Sequence, residues 1–246
     1  MSLKPCVILP DYGAHNFDTR ATMERLREEG AYKDQSCIVL IPAFGQIPTK
    51  VVASWWNMFF PPNQKVAKIF AAGMEVGEAF SQSIQMILDH PELSKYKYIL
   101  TVEHDNIPPP DAAVRLIKAM ENNPQYDCIG GLYFTKGIGG CAQIWGDAKD
   151  PIMNYRPQLP DPMGGLIECC GTGMGFNLWR MEMFRDSRLR KPWFKSSCST
   201  DEGVATQDLY FWSDARKNGH RCAIDCSVKV GHYDLEGKFG EPDFCW

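Results

Sequence analysis

The chain has 246 residues, 44% of them hydrophobic and 23% charged, with a formal net charge of −4 and a pI near 5.8. That is ordinary globular material, long enough for one large α/β domain with a sizeable core, and its acidic balance supplies no global basic field for nucleic acid. No apolar run reaches the roughly 20 residues a bilayer demands. The first residues have neither the length nor the cleavage pattern of a signal peptide, so a cytoplasmic protein is expected. The ten cysteines contain no C-x-x-C pair. Without paired short spacings a zinc knuckle is excluded, and reduced, buried thiols are the expectation.

Residues 1–36 read as an N-terminal extension packed on a single domain that spans 37–246. Within the extension, Cys6–Leu9 suits a short strand, Thr19–Glu29 suits a charged surface helix, and His15 reads as a loop histidine. Cys37–Pro42 is a fully apolar run of the kind a buried parallel strand needs. It breaks at Pro42-Ala43-Phe44-Gly45, and Thr49 then caps a helix carrying Val52, Trp55, Trp56 and Phe59. Val66–Phe70 is the next strand. Val76, Ala79, Phe80, Ser83, Ile84, Ile87 and Leu88 follow as a helical stripe, closed by Pro91.

Lys97–Asp111 (KYILTVEHDNIPPPD) is the most informative stretch. Tyr98–Val102 reads as a buried strand that ends at Glu103-His104-Asp105-Asn106, where three prolines forbid continuation. Two carboxylates one residue apart thus sit at the carboxyl end of a strand, the edge where open α/β sheets bind ligands. On extended backbone they would point the same way, and two carboxylates aimed at one point call for a cation between them. An acidic strand end can also simply start a turn.

Beyond it, Asp111 caps a helix and Asp127–Phe134 forms a strand whose Gly130-Gly131 pair allows close approach. The alternation of strands and helices to this point predicts a mostly parallel sheet flanked by helices. Thr135–Gly165 loses all periodicity. Glu168–Phe184 reads as a glycine-rich strand or loop running into a short helix. Asp201–Gly219 feeds a helix with Asp208 in its first turn, where the dipole favours an ionised carboxylate. Arg221–Asp225 and Ser227–Val230 read as two short strands before Gly231-His232.

In this order the blocks resemble a GT-A fold glycosyltransferase of the phage and bacterial, family 2-like type, over about Ile38–His232. Ile41-Pro42-Ala43 resembles the end of the first nucleotide-binding strand, and Gly73-Met74-Glu75-Val76 the start of the helix after the donor pocket. Glu103-His104-Asp105 resembles the D-x-D motif, Gly171–Phe176 with Arg180 to Phe184 a later family segment, Thr206-Gln207-Asp208 the acidic pair, and Val230-Gly231-His232 the closing V-G-H. There are three departures. Glu103 replaces the first Asp, Gln207 stands where relatives have an acid, and Glu78-Ala79-Phe80-Ser81 replaces a pattern with an Arg-Asn pair.

The resemblance implies a metal-dependent enzyme that moves a sugar from a nucleotide-diphospho-sugar, a UDP-sugar first among them, to an acceptor hydroxyl. It implies Mn²⁺ or Mg²⁺ held by Asp105 and His232 with Glu103. Imidazole beside carboxylate suits Mn²⁺ better than Ca²⁺. Pro42, Ala43, Glu103, His104 and Asp105 would line the donor, Asp208 would be the base, and Gly173, Trp193 and Gln207 would face the acceptor. Trp145, Trp193 and Trp212 are the candidate sugar-stacking rings, with Trp212 better read as core. A nucleic-acid acceptor is compatible but not favoured by the acidic pI. The rival readings are a nucleotidyltransferase, opposed by the lack of Lys or Arg in Pro42–Pro48, and a degenerate protein that binds nucleotide or sugar without turnover.

Overall fold

A computed structural model describes residues 6–8, 33–137, 139–196, 206–234 and 243–244. The region of the expected Thr19–Glu29 helix and of His15 lies outside them. The strands are β1 (Cys6–Ile8), β2 (Cys37–Ala43), β3 (Val66–Ala72), β4 (Tyr98–Val102), β5 (Asn106–Ile107), β6 (Cys128–Leu132), β7 (Ile144–Asp147), β8 (Leu166–Thr172), β9 (Phe176–Arg180), β10 (Cys222–Lys229), β11 (Gly231–Tyr233) and β12 (Asp243–Phe244). The helices are α1 (Thr49–Asn57), α2 (Val76–Asp89), α3 (Ala112–Asn122) and α4 (Gln207–Ala215).

One nine-stranded sheet runs in the order β1-β3-β2-β4-β9-β6-β10-β8-β7, and a small sheet runs β12-β11-β5. In the large sheet β2, β3, β4, β6, β7 and β10 point one way, and β1, β8 and β9 the other. This is the α/β architecture, with a mostly parallel sheet, that the GT-A resemblance implies. The apolar run of β2 is buried along its whole length because both faces of the sheet are covered. Ile38 and Leu40 pack with α2 and α4, through Phe80, Ile84, Phe211 and Trp212. Val39 and Ile41 pack on the other face with α1 and α3, through Val51, Trp55, Leu116 and Ile117. The period of two in a strand sends alternate residues to two separate cores.

Several local readings need correction. The buried stripe of α1 is Val51 and Trp55, while Trp56 is 85% exposed, and Thr49 is its first helical residue, not its cap. Glu168–Phe184 is two antiparallel-paired strands, β8 and β9, ending in a 3₁₀ turn over Met181–Arg185. The two strands expected around Asp225 are one strand, β10, whose register against β6 shifts between Asp225 and Lys229. A bulge breaks the alternation and makes one strand read as two. The aperiodic stretch after Thr135 contains β7. The strand at Cys6–Ile8 does form, as the antiparallel edge beside β3.

His220 clamps the far end of the sheet. Its Nδ1 lies 3.2 Å from Asp127 Oδ2 and its Nε2 lies 3.1 Å from Asp186 Oδ2. Burial opposes the charged imidazole, but the hydrogen bonds and charges of Asp127 and Asp186 outweigh it and raise the pKa above its ordinary 6.5. A raised histidine pKa stabilises the fold fully below the unfolded value and loses that effect as pH climbs through the folded one. His220→Gln should therefore lower the unfolding free energy read from urea titrations most at pH 5–6, by about 1–2 kcal/mol, with the gap to wild type closing at alkaline pH. A gap independent of pH would remove the charge from this account.

Candidate active site

The site is built where β4 stops. The Glu103 amide donates to the Gly175 carbonyl (2.9 Å), and the Asn106 amide donates back to the Glu103 carbonyl (3.0 Å). Glu103–Asn106 is thus a turn, not extended backbone. The expectation that alternation aims Glu103 and Asp105 alike is corrected, because the closing hydrogen bond bends the chain between them. The chain then enters β5, which pairs with β11 so that Asn106 lies opposite His232. The Tyr233 amide donates to the Asp105 carbonyl at 2.6 Å, which holds the acidic turn against the histidine strand.

The side chains converge there. Asp105 is buried, and its Oδ2 lies 2.6 Å from Lys136 Nζ and 3.4 Å from His232 Nε2. Its Oδ1 is buried with no hydrogen-bond partner among the described residues. The His232 Nδ1 is 2.7 Å from the Phe134 carbonyl oxygen. A carbonyl only accepts, so Nδ1 carries the hydrogen and the Nε2 faces Asp105, the arrangement that metal-ligating histidines use. The ring of Tyr133 meets that of His232 edge-on, 5.5 Å between centroids.

Burial works against ionisation of Asp105, but His232 and Lys136 overcome it and hold this carboxyl well below its ordinary range. Glu103 moves the opposite way: burial first, then the charges of Asp105 and Asp208, push its pKa up against the pull of Lys136. Asp208, in the first turn of α4, is 7% exposed, and its Oδ1 accepts from the Leu209 amide at 2.8 Å. Burial raises its pKa despite the bonds from Thr206 and the Leu209 amide. At Asp208 desolvation thus acts against the helix end that favours its charge, and is the larger of the two. The same cluster surrounds Tyr133, whose hydroxyl burial and the nearby Glu103, Asp208 and Asp105 push far up.

Of the other candidates, Pro42 and Ala43 end β2 beside β4, buried, with the Ala43 carbonyl accepting from the Gly73 amide (3.1 Å). His104 is half-buried in the turn, and Gln207 is the first residue of α4. Trp193 is corrected: it is 2% exposed and packs edge-on against Phe184, so it offers no face to a sugar. Gly173 has a packing role instead, since a Cβ there would lie 2.3 Å from the Tyr133 hydroxyl and 2.5 Å from Gln143 Oε1. Trp212 is core, stacked 5.4 Å from Trp179. Lys136 and Tyr133 are the site residues that sequence reasoning missed. Lys136 lies in the stretch without periodicity, and Tyr133 reads as an ordinary strand aromatic.

Among the described residues no three His, Cys, Asp or Glu side chains form a preformed metal cage. The residues present nevertheless fit a hard cation that keeps other oxygen ligands: one carboxylate with an unpartnered buried oxygen, and one imidazole with the right tautomer. No helix among the described residues is long and apolar enough to cross a membrane.

No family model and no curated protein matches the chain. Among solved structures it is similar to A197 from STIV, with a TM-score of 0.58 at 17% identity over 81% of this chain and 86% of that one. It also matches S. aureus TarS 1-349 at 12% identity and a TM-score of 0.46, and the same protein in complex with UDP-GlcNAc at 0.47. Those matches cover 80% of this chain but only 59% and 57% of TarS. The likeness to A197 shows a shared fold.

Proposed function

We propose that this chain is a glycosyltransferase that moves a sugar from a nucleotide-diphospho-sugar to an acceptor hydroxyl, with a divalent cation held by Asp105 and His232. The observation that carries the reading is the convergence on one sheet edge of Asp105, with its orphaned buried oxygen, the tautomer-fixed His232, and a third carboxylate, Asp208, with a raised pKa. Mn²⁺ or Mg²⁺ bound there would supply positive charge to the diphosphate as it departs.

The chain's own residues divide the remaining tasks. Pro42 and Ala43 border the nucleoside with backbone and a small side chain. Glu103 accepts a proton more readily than an ordinary glutamate, which suits a hydrogen bond to the donor better than a second full charge. Asp208 takes the proton of the acceptor hydroxyl as its oxygen forms a bond to the anomeric carbon and the bond to the diphosphate oxygen breaks. A carboxylate with a raised pKa is the stronger base for that step. Gln207 beside it orients the acceptor. The half-buried walls exclude water, which would otherwise compete for the same carbon.

Thermal shifts with UDP-, GDP- and dTDP-sugars, each with Mn²⁺ and with EDTA, test the donor. Stabilisation by one nucleotide class only with metal is the expected result, and it should vanish in Asp105→Asn and His232→Ala. Stabilisation without turnover by wild type against a panel of acceptors would favour the binding-protein reading, which the Glu103 and Gln207 departures also suit.

For the base, Asp208→Asn should leave donor stabilisation intact and cut transfer by about 10²–10⁴-fold. In wild type, kcat/KM should rise with pH through an apparent pKa above the ordinary 3.8 of aspartate. Asp208→Asn should lose that acid limb. A limb unchanged in the variant would remove Asp208 from the proton transfer.

A further inference from the structure

Lys136 is the one cation in contact with the acidic cluster among the described residues whose role the proposed reaction leaves unassigned. It is placed by a closed turn. The Thr135 amide donates to the Cys141 carbonyl (2.9 Å), the Cys141 amide donates to Thr135 Oγ1 (2.9 Å), and Phe134 bridges Ala142. That base fits Gly140 tightly: a Cβ there would come 2.1 Å from the Thr135 carbonyl oxygen. From this anchored position the side chain runs inward to Asp105, at 2.6 Å, with 22% of its surface exposed. The flexible four-carbon stem leaves the ammonium free to change partner while the backbone stays fixed.

We propose that Lys136 is an exchangeable internal cation: it neutralises Asp105 in the donor-free protein, gives up that carboxylate to a divalent ion, and passes to the diphosphate that the ion accompanies. The inference rests on the metal reading above. Three observations carry it. The ammonium occupies the oxygen of Asp105 that also faces His232 Nε2, so a divalent ion held by that carboxylate and that imidazole would lie against Lys136. The other oxygen, Oδ1, is buried and unpartnered, so Lys136 leaves the carboxylate half satisfied. Glu103 and Asp105 follow directly on the carboxyl end of β4, the edge at which open α/β sheets bind ligands, and a lysine there acts on phosphate as a mobile point charge. Two cations on one carboxylate repel each other, so divalent binding would drive the ammonium off, toward the diphosphate that accompanies the ion.

The test uses the purified chain and two probes that need no sugar. Mn²⁺ binding without nucleotide, read by electron paramagnetic resonance, should tighten about tenfold in Lys136→Met, because the competing ammonium is gone, and stay near wild type in Lys136→Arg. Pyrophosphate binding at saturating Mn²⁺, read by calorimetry, should weaken about tenfold in Lys136→Met. Equal Mn²⁺ affinity in wild type and Lys136→Met overturns the exchange. Unchanged pyrophosphate affinity overturns the passage to diphosphate. No Mn²⁺ binding by either protein overturns the metal site with it, whereas absence of sugar transfer alone touches only the proposed activity. Should Lys136→Met fail to fold, acetylation of Lys136 in wild type, quantified by mass spectrometry, decides the matter. It should speed up when Mg²⁺ frees the amine from Asp105, and an unchanged rate overturns the exchange.

Discussion

The meeting of Asp105 with His232 depends on a ladder only two residues long, the pairing of Asn106–Ile107 with Gly231–His232. Asp105 and His232 are far apart in sequence, and they meet because Asn106 lies opposite His232 and the Tyr233 amide seizes the Asp105 carbonyl. So short a ladder needs reinforcement, and it has it. Trp55 Nε1 of α1 donates to the Asn106 carbonyl at 3.0 Å, and the Asn106 side-chain amide reaches the Gly231 carbonyl at 3.4 Å. Register is the variable these contacts control. A slip of one residue would bring Gly231 or Tyr233 to the acidic turn and send the imidazole to the opposite face. Asn106 is fully buried, so its polar groups cannot turn to water if the pairing is lost, which makes the correct register the cheap one.

That geometry creates an electrostatic problem whose scale decides how the carboxyl groups behave. Two like charges about 4 Å apart near a protein surface cost about 4 kcal/mol, against a typical net stability of roughly 5–15 kcal/mol for a whole domain. Charges on Asp105 and Asp208 accordingly disfavour a further charge on Glu103. The structure resolves the conflict unequally. Asp105 keeps its charge because Lys136 and His232 attend it, while burial pushes Glu103 and Asp208 toward the protonated form. In the proposed reaction that division would separate a cation-binding carboxylate from a proton-accepting one on the same sheet edge.

The scaffold was largely legible from the sequence, and the site only in part. Cys37–Pro42 and Tyr98–Val102 declare themselves as buried strands because both faces of the sheet are covered and every residue must be apolar. The helix over Val76–Asp89 declares itself by its stripe. Direction is another matter. Nothing in the composition of Phe176–Arg180 says that it inserts antiparallel between β4 and β6, since that is decided by which gap the sheet leaves. Asp105 and His232 were readable through their motifs. The turn at Glu103–Asn106 was not, because a strand end and a turn start share the same residue types. Trp193 misled because Pro192 marks a loop, yet the loop folds back into an aromatic cluster. Lys136 was invisible because its meaning comes wholly from the partner it reaches.

That aromatic cluster explains how the fold tolerates a buried acid at the start of α4. Trp179 of β9 stacks on Trp212 and meets Phe211 edge-on, 5.6 Å away, and Phe211 stacks on Phe194 at 4.6 Å. Two of its indoles have their polar edges satisfied: Trp179 Nε1 donates to Thr101 Oγ1 of β4, and Trp212 Nε1 donates to Thr172 Oγ1 of β8. Each of these rings buries a large apolar surface, worth on the order of 1.5–3 kcal/mol apiece. Their sum fixes α4 against the sheet far more firmly than the desolvation of one carboxyl can loosen it. Asp208 is carried into its buried position by residues three and four places further along the same helix, which lie on the same face as it does. The raised pKa of the candidate base is thus set by packing that never touches the substrate. In the proposed transfer site, a base whose depth is set by an aromatic core, beside a carboxylate whose charge is set by Lys136 and His232, would give the two halves independent control.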